Sequence, residues 1–161
     1  MKVRLTTGSL ALFLGAAVLL LLSVTLSASV KKWAVIVPGG SKLEDVSFAE
    51  IAKLCRGEKQ SWPDGQNFTL VMLAPEAPEM RDPVRKLFGV SSTEIKPLVA
   101  KLNETRPFIK IVEHDEDVLR AVNATPGTIG IIDVYAINSS VKVLRIDGRL
   151  PFDQGYALKA N

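Results

Sequence analysis

The chain has 161 residues, with 20 Lys and Arg, 17 Asp and Glu, one His and one Cys. Lys2 and Arg4 are the only charges among the first thirty residues, so residues 31–161 carry a balance of +1. That near-neutrality excludes a nucleic-acid footprint and a polybasic membrane-binding surface, and a lone Cys55 excludes a disulfide within the monomer.

Residues 10–26 (LALFLGAAVLLLLSVTL) are apolar apart from Ser23 and Thr25, and the small residues Ser27, Ala28 and Ser29 follow. A basic start, an apolar stretch and a small-residue site together read as a secretory signal peptide. An uncleaved inner-membrane anchor is its competitor, because the stretch reaches the lower edge of membrane-spanning length. No Cys follows the stretch, which excludes a lipoprotein anchor. The chain therefore divides into residues 1–30, a signal peptide or anchor, and residues 31–161, one exported domain of ordinary size, periplasmic or secreted.

Trp33 to Val37 (WAVIV) is a continuous apolar run stopped by Pro38-Gly39-Gly40, the pattern of a buried strand. Ser47 opens a helix with Glu50 at capping-box spacing, and Gly57 ends it. Phe48, Ile51, Ala52, Leu54 and Cys55 form its apolar face, which makes Cys55 a buried, inert thiol. Trp62-Pro63-Asp64-Gly65 is a tight turn with Trp62 as its plug. Phe68 to Leu73 is a second strand. A loop rich in Pro and acid leads to a short helix from about Met80 to Phe88, with Pro83 in its first turn. Ser92 to Leu102 is a further helix interrupted by Pro97, and Phe108 to Val112 a third strand. Asp115 caps a helix running to Asn123. Thr128 to Val134 and Val141 to Ile146 are the fourth and fifth strands. The tail from Leu150 to Leu158 reads as a loop with room for a short edge strand.

Strands that alternate with helices, the early ones apolar throughout, predict a three-layer α/β sandwich around a mostly parallel or mixed five-stranded sheet.

Catalytic chemistry is hard to find. His114 is the only histidine, and no second His or Cys pair supplies a metal set. Glu113-His114-Asp115-Glu116-Asp117 reads as a solvated helix start, where acids favour the positive end of the dipole. No nucleophile elbow, phosphate-cradling Gly-Lys loop or dinucleotide fingerprint occurs. The chain reads as a non-enzyme without a cofactor. Gly39, Gly40 and Ser41 follow the first strand and can offer amides and a hydroxyl to an anion. Arg81, at a helix start, can pair with a carboxylate or phosphate. The glycosylation triplets at Asn67, Asn103, Asn123 and Asn138 matter only in a glycosylating secretory pathway.

These pieces, in this order, resemble the small exported relatives of the phosphate-binding component of bacterial phosphate ABC transporters, the type II periplasmic-binding-protein-like domains. The resemblance runs from WAVIV and its Pro-Gly-Gly-Ser loop through Ser47-Phe48-Ala49-Glu50-Ile51, Arg56-Gly57-Glu58 and Trp62-Pro63-Asp64-Gly65. It continues through Arg81 with Phe88, Thr125-Pro126-Gly127-Thr128-Ile129-Gly130 and Ile146-Asp147-Gly148-Arg149-Leu150-Pro151. It implies a periplasmic-binding-protein-like fold, a small anion such as phosphate as ligand, and an ABC transporter permease or envelope protein as partner. By the same resemblance Gly39, Gly40, Ser41 and Arg81 are the ligand contacts. The chain departs from the family at two positions. Pro78-Glu79-Met80-Arg81 keeps the arginine without the expected hydroxyls and glycine, and His114 to Asp117 place carboxylates where hydroxyls are expected. Each such carboxylate repels a phosphate charge by about 1 kcal/mol or more at close range. A second reading follows from those departures: a structural or interaction module of the cell envelope that has kept the fold without the ligand.

Overall fold

The computed structural model describes residues 31–159. The signal or anchor segment read at residues 1–30 lies outside the described residues. Among the described residues seven strands and four α-helices follow one another: β1 (Trp33–Pro38), β2 (Asp45–Val46), α1 (Phe48–Cys55), β3 (Thr69–Leu73), α2 (Arg81–Phe88), α3 (Ile95–Asn103), β4 (Ile109–Val112), α4 (Asp115–Ala124), β5 (Thr128–Asp133), β6 (Val141–Val143) and β7 (Arg145–Ile146).

Five strands form one sheet in the order β4-β3-β5-β1-β6, and β2 and β7 make a two-stranded parallel ribbon beside it. β3 runs parallel to both β4 and β5. β1, in contrast, is antiparallel to β5, with Trp33 opposite Asp133 and Ile36 opposite Gly130, and antiparallel to β6. The sheet is mixed, as the alternation of elements predicts.

Both faces of the central strands are covered, since five consecutive residues of β1 and of β5 are buried. α4 packs on the face that carries Ile36 and Gly130: a Cβ on Gly130 would lie 2.6 Å from Val118 and 2.8 Å from Val122. Trp33 points to the opposite face, where its Nε1 donates to the Glu79 carbonyl at 3.2 Å, just ahead of α2. α1 and α2 pack against each other in that second helical layer. The result is the three-layer sandwich expected.

Several boundaries differ from expectation for identifiable reasons. Ser47 does cap α1, accepting from the Glu50 amide at 3.2 Å, but the Glu50 carboxylate pairs with Lys59 instead of completing a capping box. α3 begins at Ile95 rather than Ser92. Pro97 has no amide and crowds the carbonyl four residues back, so it fits only in a first turn. Asp115 does not cap α4: His114 occupies the cap position without a side-chain bond, and Asp115 is the first helical residue. The predicted fifth strand splits at the buried Leu144, so that β6 stays in the main sheet while β7 leaves it to pair with β2. The tail from Leu150 forms turns and no strand.

Candidate functional site

The direction of β1 decides where the predicted contacts lie. In a parallel sheet the loop after a strand faces the carboxyl edge, the usual ligand side. β1 runs the other way, so its Gly39-Gly40-Ser41 loop lies at the amino ends of β3 and β5. Arg81 follows β3 and lies two residues beyond Glu79, which touches Trp33 at the start of β1. Five residues of extended chain separate those ends, ~17 Å. Gly39, Gly40 and Ser41 thus come together, and Arg81 stands at the opposite end of the sheet. One small anion cannot touch all four.

At the β1 loop the backbone is partly committed. The Gly39 amide donates to the Ser140 carbonyl at 3.1 Å and the Ser41 amide to the Pro38 carbonyl at 2.9 Å. Ser41 Oγ accepts from the Leu43 amide at 3.1 Å, which leaves its own proton to donate. Gly40 makes no backbone hydrogen bond within the described residues, and a Cβ there would meet nothing within 4 Å. Packing therefore does not require glycine at this position. Lys42 follows, exposed and in no ion pair among the described residues.

Two distant segments close around this loop. In the Trp62-Pro63-Asp64-Gly65 corner the Gly65 amide donates to the Trp62 carbonyl at 2.9 Å, and Gly65 takes φ 86°. Asp64 Oδ1 accepts from the Gln66 amide at 2.9 Å. Trp62 is buried edge-on to Phe68, with ring centroids 5.5 Å apart, and its Nε1 donates to the Gly127 carbonyl at 2.8 Å. Gly127 has φ 78°, and a Cβ there would collide with the Asn67 carbonyl oxygen. A single bond between Trp62 and Gly127 thus joins the two most distinctive blocks of the sequence. Trp62 is the structural plug expected of it.

Two adjoining cavities of about 280 Å³ and 480 Å³ share Pro38, Ser41, Lys42, Asp64, Gln66 and Gly127 in their walls. The first continues over Val37, Leu43 and Ile129, and Thr128 also lines it. Thr128 is itself buried, and its Oγ1 has no hydrogen-bond partner among the described residues. The rim offers an ammonium, a hydroxyl, a free amide and a carboxylate around an apolar floor. Lys42, Asp64 and Gln66 are the residues missed in the sequence. Asp64 belongs to a block that reads as a turn and Lys42 directly follows another, and only tertiary contact sets one against the other.

The carboxyl edge has a different character. Arg81 is exposed and in no ion pair within the described residues; Asp82 pairs with Arg85 at 2.6 Å and Glu79 with Lys31 at 3.6 Å. Asp115 Oδ1 is buried without a hydrogen-bond partner among the described residues. Burial pushes the Asp115 carboxyl upward from its ordinary range, Lys31 pulls it back, the Asp133 carboxylate pushes it up while the Asp133 backbone lowers it, and Glu116 raises it further. The edge gathers carboxylates, as the His114 to Asp117 segment implies. No group of three or more His, Cys, Asp or Glu suited to a metal ion occurs among the described residues. Cys55 is fully buried, and burial pushes its thiol up to about 12.

No family model matches the sequence, and no curated protein matches it. Solved structures do. An ABC-type phosphate transport receptor from Vibrio cholerae aligns with a TM-score of 0.55 and 15% identity, over 80% of this chain and 53% of the receptor. A phosphate ABC transporter substrate-binding protein with bound phosphate from Clostridium perfringens aligns at 0.59 and 17%, over 75% and 47%. PstS from Borrelia burgdorferi aligns at 0.54 and 18%, over 75% and 49%. The chain spans about half the length of the structures it matches. The described residues share the fold of the portion of these structures that they cover.

Proposed function

We propose that this chain is an exported, non-catalytic solute-binding domain that captures a small oxyanion of the phosphate type in the groove at the end of β1. The observation that carries the reading is the convergence of three separate sequence blocks on one groove whose rim holds unused donors. The Gly40 amide, the Ser41 hydroxyl and the Lys42 ammonium supply the donors, and a helix of carboxylates does not face them. Gly40 fits the role because its missing side chain leaves room for a ligand to approach the backbone. Asp64 keeps one carboxylate oxygen outside its bond to Gln66. A carboxylate acceptor suits only an anion that still carries a proton, which favours phosphate over sulfate at neutral pH. Arg81 and the Gly39 amide have no part in this site. An ABC transporter permease is the partner that such a domain serves.

Titration calorimetry with phosphate and with sulfate tests the reading. Phosphate is expected to bind more tightly than sulfate. Lys42→Ala weakens it about tenfold, the scale of one charge-assisted hydrogen bond, and Arg81→Ala leaves it unchanged. Absence of heat with either anion removes the anion reading. A loss on Arg81→Ala with Lys42→Ala unaffected moves the site to the carboxyl edge.

A further inference from the structure

Three large apolar side chains stand in solvent among the described residues: Tyr135 at 72%, Phe152 at 58% and Ile111 at 43% exposure. The first two belong to one place. The Val134 amide donates to the Lys32 carbonyl at 2.8 Å, which sets Tyr135 beside the start of β1. Lys32 Nζ stands 4.8 Å over the ring of Phe152. Glu79 takes Lys31 in an ion pair, whereas Lys32 has no acidic partner among the described residues.

Exposed aromatic rings beside a lysine whose stem can lie flat and whose ammonium can reach outward are the side chains that settle at a membrane–water interface. The sequence says what adjoins them. The apolar run 10–26 ends only four residues before Lys31. Five Cα steps reach about 18 Å at full extension, so whatever holds residues 10–26 also holds this end of the domain close. A cut after Ala28 would have Leu26, a poor residue, three positions before it, whereas a cut after Ser29 would place Ser27 there, so the intact mass of the exported chain enters the test.

We infer that residues 10–26 stay in the bilayer as an anchor and that the face carrying Lys32, Tyr135 and Phe152 rests on the lipid headgroups. Lys32 meets anionic lipid, and the two rings enter the interfacial layer. The β1 loop and its groove then lie at the far end of the same strand, turned away from the membrane toward solute. This orientation does not depend on which ligand the groove takes.

The test uses the full chain in proteoliposomes of phosphatidylethanolamine and phosphatidylglycerol. Phe152→Cys carries an environment-sensitive fluorophore, with Tyr135→Cys as a second position on the same face. Ser139→Cys, exposed beside the far end of β1, is the control, and the buried Cys55 stays unlabelled. Brominated lipids are expected to quench the labels at 152 and 135 about threefold more than the label at 139. Equal quenching at the three positions overturns the proposal. So does recovery of the chain from cells in soluble form without residues 10–26, read by intact mass. A label at 152 that escapes quenching but crosslinks to an envelope protein overturns it in favour of a protein partner.

Discussion

The Tyr156 hydroxyl lies in the core without a well-formed hydrogen bond among the described residues; burial pushes its pKa up to about 12, against the lowering effect of the adjacent Val35 backbone. An unpaired buried hydroxyl costs about 1–3 kcal/mol. Tyr156→Phe is therefore expected to raise stability by about 1 kcal/mol, read as a higher urea midpoint at unchanged slope. Asp115 carries a burial penalty that depends on pH. Its carboxyl is raised in the fold chiefly by burial, so the fold favours the protonated form. That contribution is present below the ordinary aspartate value and is lost as pH rises through the raised one. Relative to Asp115→Asn, the native chain should lose stability as pH rises above the ordinary aspartate value of about 4. Parallel pH profiles of the two would show that Asp115 titrates normally.

At the scale of elements, two residues show how local sequence serves long-range packing. Gly130 lets α4 sit on the sheet, and its absent Cβ would also come within 3.1 Å of Ile36. Gly130→Ala is expected to cost about 1–3 kcal/mol through overpacking, measured by denaturant melts. Asn103 protects the edge strand β4. Its Oδ1 accepts from the Phe108 and Ile109 amides at 3.0 Å, and its Nδ2 donates to the Ile109 carbonyl at 2.8 Å, as a neighbouring strand would. Asn103→Ala should cost about 1–2 kcal/mol and open the edge to strand pairing, visible as faster aggregation on mild heating. The elements themselves were largely legible. Apolar runs marked β1, β3 and β5, and cap and stop residues marked α1. The small β2–β7 ribbon was not, because two-residue strands about a hundred positions apart carry no periodic signal.

Across the whole molecule, the C-terminal tail completes the core without adding a regular element. Tyr156 and Leu158 are buried at 3% and 0% exposure, with Tyr156 beside the backbone of β1. Truncation after Leu150 removes both and should cost about 4 kcal/mol or more, seen as a collapse of the thermal transition. A truncated chain that melts normally would show the tail to be dispensable. The same central strand governs the candidate site. Hydrophobic runs, caps and turn residues alone determined the class of fold and the order of the helices and main-sheet strands along the chain, because burial and turn chemistry act over a few neighbouring residues. The antiparallel course of β1 was decided only by tertiary pairing, since a strand's apolar pattern reads the same in either direction. That one reversal separates Arg81 from Gly40 and Ser41, and it brings Lys42 and Asp64 to a single groove.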